Sequence, residues 1–211
     1  MLYTKTVERN TLGLLRQLQK EPYLKGYYLV GGTALALKIG HRKSIDIDLF
    51  SDFSFDVNTL LEKLQSNYDY QMFHSAQNTL KGSIDGIKVD LLSHRYPLIR
   101  EPLFEEEIAM LSIPDIIAMK LNAISGSGQR VKDFIDIWFL LSTYSLDSMI
   151  SYYKEKYTNN NEAVVLKSLV YFDDIDMSDW PVIISEPKLK WKTVATELEK
   201  QVMVYTKSKI L

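Results

Sequence analysis

The stretch LVGGTALALKIGHRKSIDIDLF, residues 29–50, decides the fold. It opens at the end of a short aromatic and β-branched run, which predicts a buried strand. Gly31 and Gly32 form a tight turn, and the alanines and leucines of residues 33–39 predict a helix. Residues 45–50 then alternate apolar and acidic side chains, which is typical of a strand with two different faces. The unit is therefore strand, glycine turn, helix and strand.

Two carboxylates share one face of the second strand. Residues two apart in a strand point to the same side, so Asp46 and Asp48 should lie next to each other. Their apolar neighbours Ile45, Ile47 and Leu49 should point into the core. Neighbouring carboxylates repel and raise one another's pKa unless a divalent cation neutralises them. The pair is therefore a candidate metal site.

A third carboxylate and a phosphate-binding turn would complete such a site. Residues 87–92 predict a strand after a tight turn, and Asp90 interrupts its otherwise apolar part, Val89-Asp-Leu-Leu92. A neighbouring strand could bring Asp90 close to the first pair. The amides of Gly31 and Gly32 stand at the start of a helix, where glycine lets a phosphate approach the backbone closely.

Composition narrows the class of protein. The 211 residues are 46% hydrophobic and 25% charged, which predicts a globular chain that folds. The absence of cysteine excludes thiol nucleophiles and disulfides. Proteins that coat nucleic acid are usually strongly basic, so the formal net charge of −2 argues against a general nucleic-acid coat. A charged opening segment, and no apolar run of roughly 18 residues, predict a cytoplasmic protein without a membrane span.

The remaining patterns predict an α+β fold, with a mixed sheet flanked by helices and a helical C-terminal subdomain. Helical periodicity covers residues 7–20 and the segment that follows Asp56, and the further strands are predicted at residues 26–30, 68–73 and 79–84. From Ser112 onward the periodicity is mostly helical, to Leu211. We therefore predict an α/β core over residues 1–111, and a helical subdomain over residues 112–211 that completes an active-site cleft.

Each element alone also has an ordinary explanation. An Asp-x-Asp pair is more often a solvated strand face, and a Gly-Gly pair is more often only a turn. Lys120 lies on a helix with an apolar stripe, and a lysine in such a helix is usually solvated. The order of the elements along the chain favours a shared site.

That order resembles the polymerase-β-like nucleotidyltransferases. Residues 29–50 resemble the signature of the AbiEii/AbiGii toxin branch, and the likeness continues at residues 113–120 and 130–136 and more faintly at 168–174. The resemblance implies an enzyme that depends on Mg²⁺ or Mn²⁺, the toxin of a bacterial toxin–antitoxin or abortive-infection system. It would transfer a nucleoside monophosphate from an NTP to RNA, such as a tRNA 3′ end, or to a protein acceptor. An antitoxin would be a further partner.

The resemblance also implies roles for individual residues. The metal ligands would be Asp46 and Asp48, with Asp90 as the third, and Asp133 would be a further catalytic carboxylate. By the same resemblance, Gly31, Gly32 and Lys120 would bind the nucleotide. We further expect nucleotide contacts from Thr33, from Arg42 beside the acidic strand, and from Arg130. Many nucleotidyltransferases carry Gly-Ser at the turn, and the serine hydroxyl helps to hold the triphosphate. Gly32 has no hydroxyl, so Thr33 is the candidate to supply it.

Two other functions stay open. The chain could be a catalytically lapsed binding module that engages an antitoxin or another partner, although the retained Asp46 and Asp48 count against this. A metal-dependent nuclease would use the same carboxylates on water. Hydrolysis of a polymer needs no triphosphate cradle, so the glycine turn disfavours the nuclease.

Overall fold

The computed structural model describes residues 1–158 and 161–210, so the predicted helical end at Leu211 lies outside the described residues. The chain forms two compact units. One comprises Met1–Pro97 and Glu101–Ser112, and the other comprises Leu98–Arg100 and Ile113–Leu211. The separate roles predicted for residues 1–111 and 112–211 stay a prediction.

The first unit is a mixed sheet with helices. Its helices are α1 (Arg9–Lys20), α2 (Gly31–Ile39) and α3 (Val57–Asn67). Its strands are β1 (Tyr28–Leu29), β2 (Ile47–Ser51), β3 (Tyr70–Ala76), β4 (Thr79–Ile84), β5 (Ile87–Ser93), β6 (Leu103–Glu105) and β7 (Ile108–Met110). The strand order is β3-β4-β5-β2-β1-β7-β6. The β2–β5 and β1–β7 pairs are parallel and the other neighbours are antiparallel, which confirms the predicted mixed sheet.

Local signals account for several boundaries of these elements. Asp56 caps α3, where its Oδ1 atom accepts a hydrogen bond from the Thr59 amide at 2.7 Å. Gly40 ends α2 with a left-handed φ of 72°. Asp85 and Gly86 both have positive φ, 51° and 76°, as a two-residue hairpin turn of type I′ requires.

One face of the sheet carries the core. Ile47, Leu49, Val89 and Leu91 alternate along β2 and β5 and are buried. The prediction for Ile45 is wrong, because this side chain is 58% exposed. Strand β2 begins only at Ile47. Ile45 lies before the strand, where alternating residues no longer have to point to opposite faces.

The second unit is mainly helical. Its helices are α4 (Ile113–Gly126), α5 (Val131–Leu140), α6 (Leu146–Lys156), α7 (Glu162–Ser168) and α8 (Trp191–Ile210). Between α7 and α8 the chain forms only a 3₁₀ turn at Met177–Asp179, so this part is less helical than predicted. No helix among the described residues is both long enough and apolar enough to cross a bilayer.

Candidate active site

The register of two parallel strands brings two of the predicted carboxylates together. Asp48 of β2 is paired with Asp90 of β5, so both side chains project from the same face of the sheet. Asp90 is only 3% exposed, and Asp48 is half-buried. Asp46 lies one residue before β2 and is also half-buried. Asp48 and Asp90 therefore form the centre of the candidate site.

The Asp90 carboxylate is only partly satisfied. Its Oδ2 atom lies 3.1 Å from Lys88 Nζ. Its Oδ1 atom is buried and has no hydrogen-bond partner in the part of the chain that the structure describes. Leaving a buried carboxylate oxygen without a partner costs free energy, so this atom favours a cation or a hydrogen-bond donor brought by a ligand.

Lys88 is a residue of this site that sequence reasoning missed. Burial alone would lower the pKa of its ammonium, but the hydrogen bond to Asp90 and the charges of Asp90, Asp48 and Asp46 outweigh burial and raise the pKa. Three carboxylates therefore stabilise the charged form of the Lys88 ammonium. Lys88 lies two residues before Asp90 on the same strand, and this spacing alone would have placed it on the same face.

The donor set fits a magnesium-type cation. Mg²⁺ prefers oxygen ligands and is often held by one or two carboxylates, with substrate phosphates and water completing its shell. Asp48 and Asp90 supply such a pair, and Asp90 Oδ1 is unused by the described residues. Within residues 1–158 and 161–210, no three side chains of the metal-ligating types lie close enough together to form a complete protein cage. The pair therefore offers oxygen ligands to a cation without completing its coordination shell.

Gly31 joins the glycine turn to the carboxylates. It is the first residue of α2 and has a φ of +68°, a backbone conformation that favours glycine. A Cβ atom there would lie 2.9 Å from Asp48 Oδ2, closer than van der Waals contact allows. The neighbouring Val30 amide donates a hydrogen bond to the Asp48 carbonyl at 2.9 Å. Gly31 therefore allows both the turn and the position of Asp48.

We expect Gly31→Ala to lower catalytic turnover at least about 100-fold, because the added Cβ would displace the Asp48 carboxylate, and a misplacement of about 1 Å in a catalytic site can cost this much. The left-handed backbone adds a stability loss of about 1–2 kcal/mol. Transfer assays and urea unfolding would measure the two effects. The matched control is Gly13→Ala in α1, where a Cβ meets nothing within 4 Å and should stabilise the helix by about 0.5–1 kcal/mol. Full turnover of a folded Gly31→Ala protein would contradict the geometry described for Asp48.

Arg42 lies beside the second glycine of the turn. A Cβ atom on Gly32 would overlap Arg42 Nη2, and Ser44 Oγ would be 3.4 Å away. The Arg42 side chain is buried, and its Nη1 atom donates to the Lys43 carbonyl at 2.9 Å. A guanidinium close to helix-start amides suits an anionic ligand. The nucleotide contact predicted for Arg42 stays a prediction.

The Thr33 side chain contacts the segment that leads into β2. Its side chain is buried, donates a hydrogen bond to the Asp46 carbonyl and lies 2.9 Å from Ser44 Oγ. These contacts tie α2 to the segment that carries Asp46. The predicted phosphate contact of Thr33 stays a prediction, while the observed hydrogen bond gives it a part in positioning Asp46.

The remaining predicted residues form a cluster in the second unit. Lys120 Nζ lies 2.6 Å from Asp133 Oδ1 and 2.6 Å from Asp136 Oδ2. Arg130 Nη2 lies 2.7 Å from Asp133 Oδ2. Lys120 and both carboxylates are buried, whereas the Arg130 side chain is 62% exposed. The structure therefore brings Lys120, Arg130 and Asp133 together and adds Asp136, while their roles toward a nucleotide stay predictions.

Comparison of the sequence with known proteins gives a family match and a relative. The family model for the nucleotidyl transferase AbiEii toxin, type IV toxin–antitoxin system, matches residues 13–204. An uncharacterised protein of Aquifex aeolicus, aq_aa25, is 34% identical over 154 residues, which are 70% of this chain and 74% of the relative.

Two solved structures share the fold. JHP933 from Helicobacter pylori has a TM-score of 0.54 at 19% identity, with 96% of this chain and 94% of that chain covered. MenT4, a nucleotidyltransferase toxin from Mycobacterium tuberculosis, has a TM-score of 0.55 at 13% identity, with 95% and 87% covered. These likenesses confirm the predicted nucleotidyltransferase fold. Because the family model spans most of its length, the chain belongs to the AbiEii family of nucleotidyl transferase toxins of type IV toxin–antitoxin systems.

Proposed function

We propose that this protein transfers a nucleoside monophosphate from an NTP to an acceptor hydroxyl, in a reaction that depends on Mg²⁺ or Mn²⁺. The observation that supports it best is the pairing of Asp48 and Asp90 on one sheet face, with Gly31 at the start of α2 against Asp48. A carboxylate pair beside helix-start amides suits a metal–triphosphate substrate.

The chain's own residues would divide the work as follows. Asp48 and Asp90 would hold the cation, Asp46 would add negative charge beside them, and the amides of the glycine turn would bind phosphate oxygens. A bound divalent cation would offset the charge of the triphosphate and favour ionisation of the acceptor hydroxyl. The acceptor oxygen bonds to the α-phosphorus, the bond to the β-phosphate oxygen breaks, and pyrophosphate leaves. Asp90 is our candidate for taking the acceptor proton, because its Oδ1 atom lacks a partner among the described residues.

Aromatic rings next to the carboxylates favour RNA as the acceptor. Phe50 shares a strand face with Asp48, since they are two residues apart in β2. The rings of Phe50 and His94 are 5.6 Å apart, and those of His94 and Tyr96 are 4.7 Å apart. Tyr96 is 46% exposed. Unstacked RNA bases bind to such rings, as at a tRNA 3′ end, whereas a protein side-chain acceptor does not need them.

Incubation of the full chain with each α-labelled NTP and Mg²⁺ would test the proposal. Total RNA, purified tRNA and RNase-treated lysate would serve as alternative acceptors. We expect label in RNA, and its loss when EDTA is added. Label in the RNase-treated lysate would instead favour a protein acceptor. No transfer from any NTP to any acceptor would favour the lapsed binding module.

The family assignment also bears on partners. We infer that the toxin acts in the cytoplasm, where NTPs and RNA are available, and that an antitoxin counteracts it. Expression of the chain should slow growth, and co-expression of a neighbouring gene should restore it. Growth inhibition that persists in an inactive Asp48→Asn chain would argue against a catalytic toxin.

A further inference from the structure

Lys88 has an unusual place in the candidate site. It lies on β5 with Asp90, on the strand face that also carries Asp48, and its ammonium is 3.1 Å from Asp90 Oδ2. Its side chain is 49% exposed, so about half of it is open to solvent. The ammonium therefore sits at the carboxylates while keeping a route out to solvent.

We propose that Lys88 is a resident counter-ion of Asp90, whose charge it offsets until a divalent cation binds and displaces its ammonium toward solvent. This inference rests on the proposed function, because it concerns the metal site proposed there. It adds that the chain carries its own competitor for that site.

Electrostatics supports the competition. Asp48 and Asp90 are adjacent like charges, and this arrangement is costly in a half-buried place without a cation. The Lys88 charge also interacts favourably with Asp46 and Asp48, beyond its direct pairing with Asp90. A divalent cation at the same carboxylates would be repelled by the nearby ammonium, so its binding requires Lys88 to withdraw.

Lys81 provides a matched control. It is paired in register with Asp90 on the opposite side, on β4, and so lies on the same sheet face. In contrast to Lys88, it makes no ion pair with Asp90 within the described residues. Lys81→Met therefore removes the same charge from the same face without removing a direct contact.

The test is titration of the metal-free full chain with Mn²⁺ alone, with free Mn²⁺ measured by electron paramagnetic resonance. We expect Lys88→Met to bind Mn²⁺ about tenfold more tightly than the wild type, since a nearby positive charge is removed. Lys81→Met should change the affinity by less than about threefold, because it removes a charge without removing an ion pair with Asp90. Thermal melts in EDTA should show a lower Tm for Lys88→Met, and Mn²⁺ should raise that Tm by more than it raises the wild-type Tm.

The outcomes separate the two proposals. Suppose that the wild type binds Mn²⁺ and that Asp48→Asn abolishes this binding. If Lys88→Met then leaves the affinity unchanged or lowers it, the role of Lys88 is overturned while the metal site is supported. A Lys88→Met protein that binds Mn²⁺ normally but loses NTP affinity would make Lys88 a phosphate ligand, which also overturns the competition. Absence of Mn²⁺ binding in both the wild type and Lys88→Met would overturn the competition together with the proposed metal site.

Discussion

Asp48→Asn is expected to reduce nucleotidyl transfer at least about 1000-fold, which corresponds to about 4 kcal/mol of lost transition-state stabilisation. Asp48 is paired with Asp90 across two parallel strands, so the substitution removes one of the two charges at the centre of the candidate site. The amide has nearly the same shape as the carboxylate. The sheet should therefore survive, and the variant should melt within about 5 °C of the wild type without metal.

The matched control for this variant is Asp52→Asn. Asp52 is exposed and follows the end of β2, so it carries the same charge only a few residues away from the site. We expect it to keep nearly full turnover. Turnover would be measured with labelled NTP, and divalent binding with Mn²⁺ titration. An Asp48→Asn protein that is active, or that binds Mn²⁺ as tightly as the wild type, would remove Asp48 from the metal site.

The strands that carry Asp48 and Asp90 could be predicted from local patterns, whereas the pairing of these two strands could not. Alternation places Asp48 on one face of β2, and an apolar run places Asp90 on a strand. That the two strands are parallel neighbours in this register follows from the packing of the whole sheet. Lys88 was within reach of the same alternation rule, because it lies two residues before Asp90.

The second unit illustrates a different limit. The spacing of Asp133 and Asp136 predicts a shared helix face, as observed. The sequence leaves Lys120 with two readings, a solvated lysine or a phosphate contact. Burial between two carboxylates of α5 arises from the packing of α4 on α5, which no local pattern specifies. Buried ion pairs between helices are therefore the part of the second unit that sequence reasoning describes least well.

That cluster carries the largest expected effect on stability. We expect Lys120→Met to lower the free energy of unfolding by about 3–5 kcal/mol, because removal of one partner of a buried ion pair leaves buried charge uncompensated. Here the ammonium is shared by two carboxylates, Asp133 and Asp136, each 2.6 Å away. Urea unfolding of the full chain would measure the loss, and Lys192→Met, an exposed change in α8, should cost less than about 0.5 kcal/mol.

The double variant Lys120→Met with Asp136→Asn shows whether the loss comes from the ion pair. If the ammonium and the carboxylate stabilise each other, the double variant must lose less stability than the sum of the two single variants. Additive losses would mean that Lys120 acts by packing its stem instead. A Lys120→Met protein as stable as the wild type would show that the ammonium is dispensable for the fold, and would return Lys120 to the phosphate contact implied by the family resemblance. Loss of transfer in Lys120→Met can therefore be assigned to nucleotide contact only after its stability is known.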